Sequence, residues 1–293
     1  MNELNFAYMQ THGGDERESL LLARSIRRFG GTHADAPIWI LIPRGKSPFS
    51  ERSQAALQQL DVNLVPFDVP DSVLNFPFGG KVFAARAAES SLDSNGGLLA
   101  WMDSDTIVLR EPREFLIPGN ISLGYRPVML KNISSLYDEA VNEFWKIIFE
   151  TCETPEEHIF PMETTSDRVI IRPQFNAGVL VVRPGRGMLR AWAENFAASY
   201  RHPVLENYYQ EHILYKIFVH QSVLSATLLA MLKREEMQDL GADVNLPVFL
   251  EAEREDAPAS LRYDDFKFFS RPDWESKISL DEERMAWLRE QVM

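Results

Sequence analysis

The sequence predicts an α/β fold, a mostly parallel sheet flanked by helices and followed by a C-terminal elaboration. Two observations carry this. Up to Phe67, short apolar runs rich in branched residues alternate with stretches of helical period, the order that builds a parallel sheet. Five apolar residues, Leu98–Met102, are then entered from a glycine turn and end abruptly in Asp103-Ser104-Asp105, as a buried strand with acids at its carboxyl end would.

In order, Asn5–Gln10 reads as a strand running into the turn-forming loop Thr11-His12-Gly13-Gly14-Asp15. Glu16–Phe29 places Leu20, Leu21, Ala23, Ile26 and Phe29 at helical spacing and closes on Gly30-Gly31. Pro37–Pro43 is a second strand, Glu51–Leu60 a second helix and Val62–Phe67 a third strand. Phe76–Gly80 is a loop, and Lys81–Leu92 a helix with Val82, Ala85, Ala88 and Ser91 along one side. Beyond the acidic motif, Ile107–Leu109 is a further apolar run, Ile121–Tyr125 a strand and Leu136–Thr151 an amphipathic helix. Thr151–Asp167, polar and acidic, is expected to be a mobile loop. Arg172–Pro184 contains a strand, Met188–Tyr200 a helix, and Asn207–Leu232 one long helix or two shorter ones. Val244–Leu250 reads as a strand, Glu251–Asp256 as an acidic loop and Asp281–Met293 as a terminal helix. The expected organisation is one catalytic domain over 1–235, with 236–293 as an extension packed on it.

The totals exclude several classes. A 293-residue chain with 45% apolar and 25% charged residues can bury a sizeable core. A formal net charge of −13 argues against a nucleic-acid binder working through a basic surface. One cysteine, Cys152, rules out an internal disulfide and fits a reducing compartment. Met1–Gln10 has no secretory pattern, so a cytoplasmic location is expected. The most apolar window, Ile213–Leu232, carries Lys216, His220 and Gln221 and reads as a buried helix rather than a membrane span.

In open α/β sheets ligands bind beyond the carboxyl ends of the strands. That rule gathers Thr11–Asp15, Pro43–Lys46 and Asp103–Asp105 on one rim. Two carboxylates one residue apart at the end of a buried strand are costly to keep ionised without a positive partner. A divalent cation is the usual one, because carboxylate oxygens are hard ligands; the competing reading is a solvated turn with an Asx cap. Gly13-Gly14 allows either a backbone approach to phosphate or a plain turn, and no P-loop lysine follows. Lys81 and Arg86 are partners for anionic oxygens if the site binds phosphate, and solvated helix charges otherwise. In Phe175-Asn176-Ala177-Gly178-Val179-Leu180-Val181-Val182, Gly178 permits close backbone approach and Asn176 faces a ligand or makes a turn. Glu211-His212 and His220-Gln221 are polar pairs on largely apolar helices, where histidine is more often a satisfied core residue.

Ala100-Trp101-Met102-Asp103-Ser104-Asp105-Thr106-Ile107-Val108-Leu109 and Phe175-Asn176-Ala177-Gly178-Val179-Leu180-Val181, in this order on this topology, resemble segments of the GT-A fold nucleotide-sugar glycosyltransferases. The similarity covers roughly residues 4–230 and is to the family 8 type, glycogenin and bacterial galactosyltransferases. It implies transfer of a sugar from a nucleoside diphosphate donor, a UDP-sugar, to an acceptor that the sequence does not specify. Asp103 and Asp105 would hold Mn²⁺ or Mg²⁺. Thr11, Lys81, Arg86 and Ser104 would contact the donor, with Thr11 near the nucleoside. Asn176 would face the donor sugar or acceptor. The family's Asp-Gln pair falls on His220-Gln221 or on Glu211-His212, so Gln221 and His220 are the catalytic candidates beside Asn176. The family's C-terminal His-x-x-Gly-x-x-Lys-Pro motif is missing, so Asp264, Asp265 or His220 would supply a third metal ligand, or none would. Two other readings stay open. Met102-Asp103-Ser104-Asp105-Thr106-Ile107 also resembles the Asp-x-Asp strand of haloacid-dehalogenase-type phosphatases, and the chain could bind a nucleotide sugar without turnover.

Overall fold

The fold is that of a computed structural model describing residues 4–11, 13–45, 47–92, 97–250 and 256–292. His12, Lys46, Gly96 and the expected acidic loop up to residue 255 lie outside the described residues.

The alternation read from the first third of the chain produces β1 (Leu4–Met9), α1 (Glu16–Phe29), β2 (Ile38–Pro43), α2 (Glu51–Gln59) and β3 (Val62–Phe67). A four-residue α3 (Asp71–Leu74) precedes α4 (Gly79–Leu92), which leads into β4 (Leu98–Met102). Caps set these boundaries. The Asp15 carboxylate accepts from the backbone N–H of Arg17 at the start of α1, and the Ser50 hydroxyl from that of Ser53 at the start of α2.

β5 (Thr106–Val108) leaves the main sheet, and β6 (Leu123–Pro127) rejoins it. Then follow α5 (Glu143–Thr151), the short pair β7 (Met162–Glu163) and β8 (Ile170–Ile171), and β9 (Phe175–Val182). The last third supplies α6 (Met188–Ser199), α7 (Pro203–Glu211), α8 (Ile213–Met231), β10 (Met237–Asp239), β11 (Leu246–Pro247), β12 (Ser260–Arg262) and α9 (Glu282–Val292).

The seven-stranded sheet runs β10-β6-β9-β4-β1-β2-β3. β4, β1, β2 and β3 are parallel, β9 is antiparallel to both its neighbours, and β10 is parallel to β6. The strand order therefore switches direction at β1, whose neighbours are β2 and β4, and a crevice opens beyond their carboxyl ends. Both faces of the sheet are covered, so β4 and β9 are buried along their whole length. One core forms under α4, α5, α6 and α8, a second under α1 and α2, and a third under the C-terminal segment around Tyr263, Phe266, Phe269 and Trp274.

Three expectations change, and one open alternative is decided. The helix read from Leu136 begins only at Glu143, because Asn142 caps it and the Arg172 guanidinium donates to the carbonyls of Leu136 and Glu139, which a helix would need for itself. The 151–167 segment is tied down: the Thr154 hydroxyl donates to the Ala226 carbonyl at 3.0 Å, and His158 Nδ1 lies 2.7 Å from the Leu229 carbonyl. The 207–232 stretch is two helices, broken at His212, whose extended backbone and Nδ1 cap α8. Only Leu246–Pro247 of the expected 244–250 strand pairs, since Asn245 is left-handed (φ +55°) and Pro247 has no N–H to give. α8 is long and apolar enough to cross a membrane, yet just over half of it is buried, against α6 and β9.

Candidate active site

β4 delivers Asp103-Ser104-Asp105 to the crevice. The Asp103 N–H still donates to the Gly178 carbonyl of β9 at 2.9 Å, so the acids begin where the ladder stops. β5 then turns away to pair with β12, Thr106 opposite Arg262, which brings the C-terminal segment against the motif. A 210 Å³ cleft results, lined by Met9, Thr11, Glu18, Phe78, Lys81, Trp101, Met102, Asp103, Ser104, Asp105 and Asp264.

Lys81 reaches Asp103 from the first turn of α4, its Nζ 2.6 Å from Oδ1 and 2.8 Å from Oδ2. Two glycines let it do so. A Cβ on Gly79 would lie 2.2 Å from the Val73 carbonyl oxygen, and one on Gly80 2.9 Å from the Met9 side chain. Glu18, on α1, accepts from the Ser104 hydroxyl at 3.1 Å and from the Phe266 N–H at 3.3 Å, and burial pushes its carboxyl pKa up.

Asp105 is the most perturbed acid. Burial, reinforced by the neighbouring Asp103 charge and opposed by Arg262 and Lys81, pushes it up to about 7. Among the described residues its buried Oδ1 has no hydrogen-bond partner. Four carboxylates (Glu18, Asp103, Asp105, Asp264) thus face two cations, Lys81 and Arg262. Charges about 5 Å apart interact by about 3 kcal/mol at an effective dielectric near 20, so a diphosphate alone is repelled here and a cation attracted. The donor set fits Mn²⁺ or Mg²⁺, which take hard oxygen ligands and commonly only one or two carboxylates, completing their shells with water and phosphate. Among the described residues no three His, Cys, Asp or Glu side chains form a ready-made metal group.

On the other side of Gly178 lie Asn176 and Gln221. The Asn176 Oδ1 accepts from the Gly178 N–H at 2.7 Å, and the Gln221 Oε1 from the Ala177 N–H at 3.0 Å. Both line a 120 Å³ cavity with Arg262. A Cβ on Gly178 would lie 2.8 Å from Asp103 Oδ2 and 2.9 Å from Asn176 Oδ1. Gly178→Ala is therefore expected to cost about 1–3 kcal/mol of stability by overpacking and about 10²-fold in activity by displacing Asp103, read by thermal melts and initial rates.

The Rhodobacterales glycosyltransferase domain matches residues 6–221, most of the chain. The chain belongs to that family. No curated protein matches the chain. Among solved structures it is similar to the glycosyltransferase GlyE of Streptococcus pneumoniae TIGR4, at 14% identity and TM-score 0.53, covering 99% of this chain and 61% of that one. It thus spans about three fifths of GlyE. It is also similar to the galactosyltransferase LgtC solved with donor and acceptor sugar analogs, at 14% identity and TM-score 0.51, covering 96% of this chain and 99% of that one. A third match is an active-site mutant of LgtC, at 15% identity and TM-score 0.52, covering 98% of this chain and 95% of that one. At these identities the likeness shows the fold: an α/β, mostly parallel sheet flanked by helices, as in GT-A glycosyltransferases.

Of the residues expected at the site, Thr11, Lys81, Asp103, Ser104 and Asp105 share the cleft of the glycosyltransferase domain, and Asn176 and Gln221 adjoin it across Gly178. Arg86 does not reach it. It is exposed farther along α4, with its guanidinium 5.9 Å from the Phe83 ring. Arg86→Ala is expected to change activity by no more than about twofold, as for a surface charge.

His220 is also outside the cleft. It is buried, its Nδ1 lies 2.8 Å from the Ile217 carbonyl, and its ring stacks on Phe78 with centroids 4.7 Å apart. Burial, aided by Lys81, lowers its pKa to about 3, so it stays neutral and props up Phe78. Glu211 and His212 are exposed at the α7–α8 break, away from the cleft.

Asp264 lines the cleft, with its carboxylate 2.9 Å from Arg262 Nε, whereas Asp265 caps the following 3₁₀ turn. Glu18, Phe78 and Arg262 are the residues the sequence reading missed. A larger cavity, 680 Å³ beside α5 and lined by Tyr137, Phe149 and Arg172 among others, contains no residue of either motif. The phosphatase reading is not favoured, because Asp264-Asp265 follows a strand of the small β11-β12-β5 sheet rather than the main one.

Proposed function

We propose that this domain transfers a glycosyl group from a nucleoside diphosphate sugar, a UDP-sugar, to an acceptor hydroxyl, in the manner of family 8 enzymes and with Mn²⁺ or Mg²⁺ at its Asp-x-Asp motif. The observation that carries it is Asp103-Ser104-Asp105 at the carboxyl end of β4, facing Lys81 on one side and Gly178 with Asn176 on the other.

Asp103 and Asp105 would hold the cation, with Glu18 and Asp264 the further carboxylates of the cleft. When bound, the metal neutralises charge on the departing diphosphate. The chain's own groups do the rest. Lys81 carries a cation that can turn from Asp103 to a phosphate oxygen as the leaving group gains charge. The amino end of α4 borders the cleft through Phe78 and Lys81, and a helix amino end favours negative charge. Gln221 is held by the Ala177 N–H through its oxygen, which leaves its amide NH₂ to orient a sugar hydroxyl. Thr11, beyond β1, contacts the nucleoside end of the donor. Residues 1–235 form the catalytic unit, and 236–293 complete its cleft through Arg262 and Asp264.

A second reading, binding without turnover, is favoured by one observation: His220, at one position where relatives carry an acid beside glutamine, is buried and neutral. Release of UDP from a panel of UDP-sugars, with and without Mn²⁺, separates the two. Metal-dependent release supports the transferase. Binding of UDP-sugars without any release supports the second reading, and phosphate release from simple phosphomonoesters would contradict both.

A further inference from the structure

Phe78 breaks two local rules. Its backbone lies in the left-handed region, φ +57°, which a bulky aromatic residue adopts only under constraint. It also immediately precedes α4, its carbonyl accepting from the Val82 N–H at 3.4 Å, where serine, aspartate or glycine would start the helix better. Glycine would meet both demands without strain. What the position gains from phenylalanine is the ring, and Phe78 lines the cleft while 49% exposed.

Two groups are set against that ring. The His220 imidazole stacks on it, with centroids 4.7 Å apart and planes inclined by 26°. His220 is anchored in turn. Its Nδ1 lies 2.8 Å from the Ile217 carbonyl, and its own carbonyl accepts from the buried Trp192 Nε1 at 2.8 Å. The ring therefore rests on the packed core of α6 and α8. The second group is the Lys81 ammonium, 5.5 Å from the ring centre and within the range of a cation–π contact. The neutral imidazole adds no charge to oppose that attraction. The same ammonium is bonded to both oxygens of Asp103.

A carboxylate and an aromatic face hold a cation differently. The bonds to Asp103 are directional and must break when Lys81 turns to another anion. The negative face of the ring is diffuse, so an ammonium can move across it without leaving the cleft. We propose that Phe78 is a positioning residue for Lys81: its ring, clamped by His220, keeps the ammonium in the cleft as it passes from Asp103 to an anionic oxygen of the departing diphosphate. This role rests on the transferase reading for the diphosphate, whereas the holding of Lys81 needs no turnover.

Two measurements on the whole chain test it. The first is NMR of protein labelled with carbon-13 at lysine Cε, the Lys81 signal being assigned by its loss in Lys81→Met. The ring current of Phe78 is expected to displace the Lys81 methylene protons upfield, and Phe78→Leu to return them to the position of an ordinary exposed lysine. A thermal melt checks that the variant is folded. A Lys81 signal unmoved by Phe78→Leu would overturn the proposal.

The second replaces Phe78 with mono-, di- and trifluorinated phenylalanine, which keep the outline of the ring and progressively drain its negative face. With Mn²⁺ present, kcat for UDP release is expected to fall stepwise, by about five- to tenfold for the trifluorinated ring, with KM unchanged within about twofold. In the Lys81→Met background the same series should leave the residual rate unchanged. A flat series in the wild type would overturn the proposal, since the ring would then be packing alone. So would an equal fall in Lys81→Met, since the ring would then act on the donor directly. Absence of UDP release from the wild type would mark failure of the transferase reading, and the NMR result alone would then decide whether Phe78 holds Lys81.

Discussion

Asp105→Asn should abolish metal-dependent UDP release and at the same time stabilise the metal-free protein at pH 8. The first half follows from removing one of two carboxylates that would hold the cation, with an expected loss of about 10³-fold or more. The second follows from the burial of Asp105, whose Oδ1 has no hydrogen-bond partner among the described residues. Its folded pKa, about 7, lies above the ordinary value of 3.8. The folded state therefore binds the proton more tightly than the unfolded one. The stability this contributes is fully present below about pH 4 and is lost as pH rises through about 7. In the metal-free wild type, Tm should fall across that window for this reason. The asparagine side chain in Asp105→Asn is a neutral isostere and does not share that slope. The variant's Tm at pH 8 should exceed that of the wild type by several degrees, about 2–4 °C per kcal/mol for a chain approaching this size. Adding Mn²⁺ should reverse the order by raising the wild type alone. Differential scanning at pH 4, 6 and 8, with and without Mn²⁺, reads all of this.

Lys81→Met is the second large effect. The lysine is largely buried and makes a two-oxygen ion pair with Asp103, so its removal leaves a carboxylate uncompensated beside Asp105. The variant should lose about 10²–10³-fold in turnover, the usual cost of deleting one electrostatic contact to a leaving group. Lys81→Arg should recover part of that loss, because the charge persists while the reach and geometry differ. A rise in KM alone, with unchanged kcat, would mean that Lys81 binds the donor in the ground state and does not assist departure.

What the sequence revealed depended on whether the signal was local. The motif at Asp103–Asp105, the strand before it and Gly178 are written in neighbouring residues, and the structure brings them within contact of one another. The first two strand–helix units were legible for the same reason, since each helix carries its own cap and period. Tertiary effects were not legible. Glu18 reads as an ordinary acid in the first turn of a helix, and becomes part of the cleft only because Ser104 and the Phe266 N–H close on it from 86 and 248 residues away. Arg262 depends on β12 pairing with β5, strands of three residues each with no periodic signal. Arg86 stood beside Lys81 as a donor contact because the sequence does not fix the helix's rotation: Lys81 faces the cleft and Arg86 faces solvent. His220 follows an apolar helix pattern that fits a core residue equally well, and Phe78 stacked on it decides the matter.

The central claim is that an acidic cleft becomes a diphosphate site only through a divalent cation. Calorimetric titration of UDP into the wild-type protein, with and without Mn²⁺, tests it most directly. Binding that requires Mn²⁺ and disappears in Asp105→Asn is the predicted result; UDP binding of equal strength without metal, or unaffected by Asp105→Asn, would contradict the account.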